Sequence, residues 1–231
     1  AFAFATNDVI NNMTFYSYEI INRSTFELTN TYFSPWVDTD LGYATDDFVG
    51  CDVQRGLGYC YNGRAVDGNG EVQSYGDQPP AIGVDFFQGP YMDFDGYDNP
   101  SFDGDSVGGP SFGGSCDIVT QDGALRNMTF IRDGVLVTEP TIVRSAAING
   151  VNFGNGIKND ERYGMFSFVY HNNDGSDQGD PQTASQYYNY LTGKWKNGDD
   201  MFYGGTAFDL GGPAGTVGPV CKFMFPGDSD P

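Results

Sequence analysis

Apolar and polar residues alternate over short stretches of this chain, and runs rich in Gly, Asp and Asn separate those stretches. Period-two alternation sends successive side chains to opposite faces of a strand. Ala1–Thr6 (AFAFAT) puts Phe2 and Phe4 on one face. Met13–Asn22 (MTFYSYEIIN) is the clearest strand, with Phe15, Ser17, Glu19 and Ile21 on one face and Thr14, Tyr16, Tyr18 and Ile20 on the other. Asn22-Arg23-Ser24 turns the chain, and Thr25–Trp36 returns with Phe26, Leu28, Tyr32 and Phe33 as core candidates. Further strands are predicted over Val53–Tyr61, closed by the turn pair Asn62-Gly63, and over Ala81–Phe87, Asn127–Val137, Thr141–Ile148, Met165–Tyr170 and Pro219–Phe225. One stretch, Thr183–Trp195, reads as helix: Tyr187, Leu191 and Trp195 recur one turn apart, and Gly193 marks its end. The predicted fold is all-β, an antiparallel β-sandwich with long Gly/Asp-rich loops and at most one or two short helices.

Composition sharpens this picture. Aromatics make up 16% of the chain, which supports a folded core in spite of 33 glycines and 12 prolines. Acidic residues outnumber basic ones 31 to 11, a net charge of −20, so nucleic-acid phosphate is excluded as a partner and an extracellular, cation-binding protein is expected. No apolar run approaches the roughly 20 residues of a membrane-spanning helix. The chain does not open on Met or on a signal peptide, so a mature product or a piece of a longer chain is expected.

The charge is concentrated. Trp36–Asp52 (WVDTDLGYATDDFVGCD) holds Asp38, Asp40, Asp46, Asp47 and Asp52 with no basic residue. Crowded carboxylates repel unless a cation or hydrogen-bond donors sit among them, and Asp38, Asp40 and Gly42 have the spacing of a calcium loop. Ca²⁺ takes six to eight hard oxygen ligands. Asp93, Asp95 and Asp98 around Gly96 form a second candidate, and Asn155, Asn159, Asp160 and Glu161 around Gly156 a third, so one to three calcium ions are expected. Each has an acidic, metal-free turn as its alternative. Four cysteines, Cys51, Cys60, Cys116 and Cys221, form no CxxC pair, and the one histidine, His171, cannot complete a zinc site with them. Cys51–Cys60 could close a short loop and Cys116–Cys221 a long one, but three pairings are possible and the sequence does not choose among them; free buried thiols are the alternative.

No catalytic signature emerges. Gly104-Asp105-Ser106-Val107-Gly108 has the form G-x-S-x-G but lies in FDGDSVGGPSFGG, a loop by composition, without the strand and helix that a nucleophile elbow requires. Paired carboxylates for glycoside hydrolysis would come from Glu19, Glu139 or Glu161, and no spacing selects among them.

Several blocks carry a resemblance. They are Asn11–Gly63, Tyr75-Gly76, Pro79-Pro80, Gly83–Tyr91 (GVDFFQGPY), Asn155–Met165 (NGIKNDERYGM), Val169–Asn173, Tyr187–Trp195 and Met224–Pro231 (MFPGDSDP). Together they resemble a module of large secreted proteins of Bacteroidota, substrates of the type IX secretion system. The resemblance covers about residues 1–99 and 150–231 of one β-rich domain and leaves an insert, about 100–149, unmatched. It implies secretion or a cell-surface location and flanking sequence on both sides; it implies no activity. Asp105-Ser106-Val107 also resembles the O-glycosylation acceptor of that phylum, which makes Ser106 a candidate glycosylation site.

The expected function is a non-enzymatic structural or adhesive surface protein, stabilised by calcium, with a fibre or filament subunit as its form. A carbohydrate-binding module or a glycoside hydrolase domain is the alternative. Partners would be copies of itself, flanking domains or glycans. Phe2 and Phe4 are the candidate assembly strand: Ala1–Thr6 pairs either with Met13–Asn22 across the short polar link Asn7–Asn12, which is the expected pairing, or with a neighbouring copy.

Overall fold

The computed structural model describes residues 1–53, 55–91, 124–132, 135–143, 151–152, 156–160, 162–201 and 222–225. It divides into two compact units, Ala1–Phe33 and Ser34–Pro231. Among the described residues, regular structure is mostly strand, every named strand pair is antiparallel, and there is one α-helix.

In the first unit, β1 (Phe2–Ala3) pairs with β2 (Thr14–Phe15), Phe2 opposite Phe15. The pairing within the chain is therefore the one formed. Asp8 caps the 3-10 turn Val9–Asn12 between them, accepting from the amide of Ile10 at 3.0 Å and from the Thr6 hydroxyl at 2.6 Å. The rings of Phe2 and Phe15 stack at 5.2 Å, and Phe4 meets both edge-on. No residue of this unit is buried. The long strands predicted over Met13–Asn22 and Thr25–Trp36 shrink to two residues. Alternation specifies a strand only where a neighbouring strand takes up its N–H and C=O groups, and Tyr16–Ile21 meets no such neighbour among the described residues.

The second unit is built on a three-stranded sheet, β3 (Asp47–Asp52), β4 (Leu57–Asn62) and β7 (Ala81–Asp85), in the order β3-β4-β7. The acidic stretch, expected as loop up to Asp52, is strand from Asp47 onward because Val49 and Cys51 pack inward, and the strand expected over Val53–Tyr61 begins only at Leu57. Asp47, Val49 and Cys51 share one face with Asn62, Cys60 and Gly58. That face carries the core cluster of Cys51, Val53 and Phe223, with Met165 and Phe168 packed on it. Gly58 lies directly beneath the Phe168 ring, where an added Cβ would come within 2.6 Å. The Met165–Tyr170 strand reduces to a parallel bridge between Phe168 and Phe223, which ties the 222–225 segment to the sheet through the Cys51 amide and the Phe225 carbonyl at 3.2 Å.

Two further pairs complete the described strands. β5 (Val66–Asp67) pairs with β6 (Gly76–Asp77), and β8 (Ala124–Arg132) forms a hairpin with β9 (Val135–Val143). The strands predicted as Asn127–Val137 and Thr141–Ile148 are thus divided differently, with Asp133-Gly134, a turn dipeptide, between the two. The helix α1 runs over Ala184–Leu191. Thr183 and Gln186 form a reciprocal capping box at its start, and Gly193 takes φ +71° just past its end. Its inward residue is Tyr190; Tyr187, which the spacing put on one face with Leu191 and Trp195, is exposed.

Candidate functional site

The acidic residues separate into places of different character. Asp52 lies at the far end of β3 from Asp47, opposite Leu57, and pairs with Arg55. Asp47 and Asp52 stand at opposite ends of the six-residue strand, roughly 16 Å apart at about 3.3 Å per residue, so Asp52 does not share a site with the other carboxylates of the stretch. Asp38 and Asp40 are exposed. Asp93, Asp95, Asp98, Ser106, Cys116, Cys221, Asn155 and Glu161 lie outside the described residues. Asn159 takes φ +58°, and the Asp160 carbonyl accepts from the Asn152 side chain at 2.9 Å.

Asp46 and Asp47 instead lie within range of the charge of Asp67, a residue that sequence reasoning did not single out. Asp67 is fully buried on β5. It accepts from the amide of Tyr43 at 3.0 Å and from the amide of Tyr75. The loop before β3 closes over it: Gly42 has φ +75°, and a Cβ there would stand 2.0 Å from Asp67 Oδ2. Only glycine fits both the backbone and the space. Asp46, 6% exposed, accepts from the Gly68 amide through Oδ2 at 3.1 Å. Asp47 accepts from the Leu41 amide through Oδ2 at 3.2 Å. Burial pushes the Asp47 carboxyl above the usual carboxylate range; the Leu41 amide opposes this, and Asp46, Asp67 and Asp40 add to it by repulsion. Among the described residues, no Lys or Arg pairs with Asp46, Asp47 or Asp67.

The other acidic loop, His171–Asp180, is organised differently. Lys196 is buried, and its ammonium donates to the carbonyls of Gly175 at 3.2 Å and Asp180 at 3.4 Å. Tyr190 Oη donates to the Gly179 carbonyl at 2.7 Å. His171 stacks on Tyr190 at 5.3 Å, accepts at Nε2 from the Trp36 indole, and faces Asp180 and the Asn172 carbonyl through Nδ1. A protein cation therefore occupies this loop, and both ring nitrogens of His171 are engaged in holding it together.

Cys51 and Cys60 are free thiols, so the short-loop bridge between them is corrected. The register places Cys60 opposite Val49 and Cys51 opposite Gly58. The two cysteines are diagonal neighbours, about 7–8 Å apart at Cα in such a ladder, beyond the reach of a disulfide.

The outer face of the same sheet carries Phe48, Tyr59 and Tyr61. The Phe48 and Tyr61 rings lie 6.1 Å apart, and those of Tyr59 and Tyr61 6.0 Å apart. Tyr59 lies over Gly50 and Phe48 over Gly63, positions where any side chain would lift the rings from the sheet. Tyr187 and Tyr188 are exposed on α1. No family model, curated protein or solved structure matches the chain. Among the described residues, no helix is long and apolar enough to cross a membrane.

Proposed function

We propose that this chain is a non-enzymatic extracellular structural or adhesive module that assembles with copies of itself through its first unit. The observation that carries this reading is the exposure of apolar side chains there. Tyr16, Tyr18, Ile20, Ile21, Phe26 and Leu28 are 57–82% exposed on backbone that finds no ladder within the unit. Covering such a side chain is worth about 1.5–3 kcal/mol, so six together give roughly 9–18 kcal/mol gross. Association costs about 4–15 kcal/mol, so engaging the segment as a whole can hold an assembly and engaging one or two residues cannot. Extended backbone that offers alternate side chains and unpaired amides is suited to adding a strand to a neighbour's sheet. If that contact is head-to-tail it propagates into a fibre. The acidic composition and the resemblance to secreted modules support a location outside the cell, with Ca²⁺ as the stabilising ion. Within the second unit, the packing of Phe168 and Phe223 on the inner sheet face supports sandwich closure.

Analytical ultracentrifugation and negative-stain microscopy test the assembly. The chain should form oligomers or fibres as concentration rises, and a variant with Tyr18, Ile20 and Phe26 all changed to Ser should remain monomeric. A parent chain that stays monomeric at every concentration sinks the proposal. The row of aromatic rings on the outer sheet face, Phe48, Tyr59 and Tyr61, favours a second reading, glycan binding by ring stacking. A glycan array probed with the parent chain and with Tyr61→Ala tests it, and an array on which neither binds rejects it.

A further inference from the structure

We propose that Asp46, Asp47 and Asn62 form a divalent-cation site at the open end of the β3–β4 hairpin, with Ca²⁺ as the ion it takes. The inference does not depend on the assembly reading. Three side-chain oxygens there, Asp46 Oδ1, Asp47 Oδ1 and Asn62 Oδ1, are buried and meet no hydrogen-bond donor. Asp47 and Asn62 are directly opposed in the ladder and share a face. The Gly63 amide donates to the Asp46 carbonyl at 2.8 Å, which draws Asp46 against the same strand end. Each carboxylate is oriented by a backbone amide at its second oxygen, Gly68 for Asp46 and Leu41 for Asp47. Asn62 is oriented likewise: its Nδ2 donates to the Arg64 carbonyl at 2.7 Å, which leaves the amide oxygen as the free end.

Buried acceptors without donors destabilise a fold, more so when they are charged, and native proteins rarely keep three together. Elsewhere the chain uses a base of its own: buried Lys196 fills the His171–Asp180 loop and donates to its carbonyls. At Asp46 and Asp47 no such base is present among the described residues. A proton shared between the two carboxylates would supply one donor and leave the Asn62 oxygen unmet. One cation would satisfy all three oxygens and cancel the repulsion as well.

The donors are hard oxygens. The nearest soft one, the Cys60 thiol, is held in its neutral form by burial, which disfavours zinc. Among the described residues, no three His, Cys, Asp or Glu side chains converge as a metal shell, so the protein contributes two carboxylates and one amide oxygen. Water and main-chain carbonyls would complete the six to eight ligands of calcium. So low a ligand charge suits weak binding, roughly 10⁻⁵–10⁻³ M, which extracellular calcium saturates. Asp67, with both oxygens on backbone amides, is a positioning residue that holds the loop over the site.

Titration calorimetry of CaCl₂ into the whole chain stripped with EGTA tests the site. The Asp46→Asn and Asp47→Asn variants should each weaken one calcium site at least about tenfold, while Asp52→Asn leaves it unchanged. In the parent chain, the amide resonances of Leu41 and Gly68 should shift on adding calcium, a readout that requires no variant to fold. Magnesium at equal concentration should compete poorly. The proposal is overturned if no calcium-dependent heat is seen, if the Asp46 and Asp47 variants bind as the parent does, or if those two amides respond to acid and not to calcium.

Discussion

Replacing Asp67 with Ala removes the acceptor for two backbone amides at once. Tyr43 N–H and Tyr75 N–H both end on this carboxylate, which is fully buried. A buried donor left without a partner costs about 1–3 kcal/mol, so the pair sets a loss of roughly 2–6 kcal/mol. One effect opposes it: the charge of Asp67 also repels Asp47, and its removal relieves that repulsion. Burial is the largest cause that raises the Asp47 carboxyl and the Asp67 charge a lesser one, so the relief offsets only part of the loss, and the Asn variant below measures it. The net loss is a large share of the roughly 5–15 kcal/mol that holds a typical domain. Urea unfolding followed by tryptophan fluorescence measures it, and amide hydrogen exchange at Tyr43 and Tyr75 locates it. Asp67→Asn separates the two effects, because it keeps the shape and one acceptor but removes the charge; it should lose about half as much. The reasoning fails if the Ala variant unfolds within about 1 kcal/mol of the parent with both amides still protected. It fails equally if the Asn variant is more stable than the parent, since repulsion would then outweigh hydrogen bonding.

Three further outcomes follow from the same kind of reasoning. Tyr190→Phe keeps the ring stacked on His171 and loses only the hydrogen bond to the Gly179 carbonyl, so thermal melting should show a loss of about 1–2 kcal/mol; an unchanged melt would mean that the ring alone holds the loop. Burial, with the Asp52 charge adding to it, pushes the Cys51 thiol up to about 12 from 9.0. The unfolded chain releases that proton near its ordinary value and the folded chain does not, so stability should fall as pH rises from about 9 toward 12. A thiol reagent at about pH 8 should label Cys51 only in denaturant, and rapid labelling of the folded chain would contradict its burial.

Much of this protein was legible in its sequence because the physics involved is local. Alternation and turn dipeptides marked β4 and β7, since Asn62-Gly63 and the apolar run from Ala81 carry their own signals. Thr183 and Gln186 announce the helix start with a reciprocal cap that needs nothing from the rest of the chain. The acidity of Trp36–Asp52 was equally plain. Tertiary structure alone decided which of those acids meet. Asp52 faces away along a strand to Arg55, while Asp67, some 20 residues on, arrives beneath Gly42 because β5 pairs with β6. Strand length was likewise undecided by pattern: Met13–Asn22 alternates as well as any stretch of the chain, yet only Thr14–Phe15 is strand, because a ladder exists only where a second strand completes it. A residue's side of a strand follows from its neighbours in sequence, but the charge or donor it will face follows from distant segments brought there by folding.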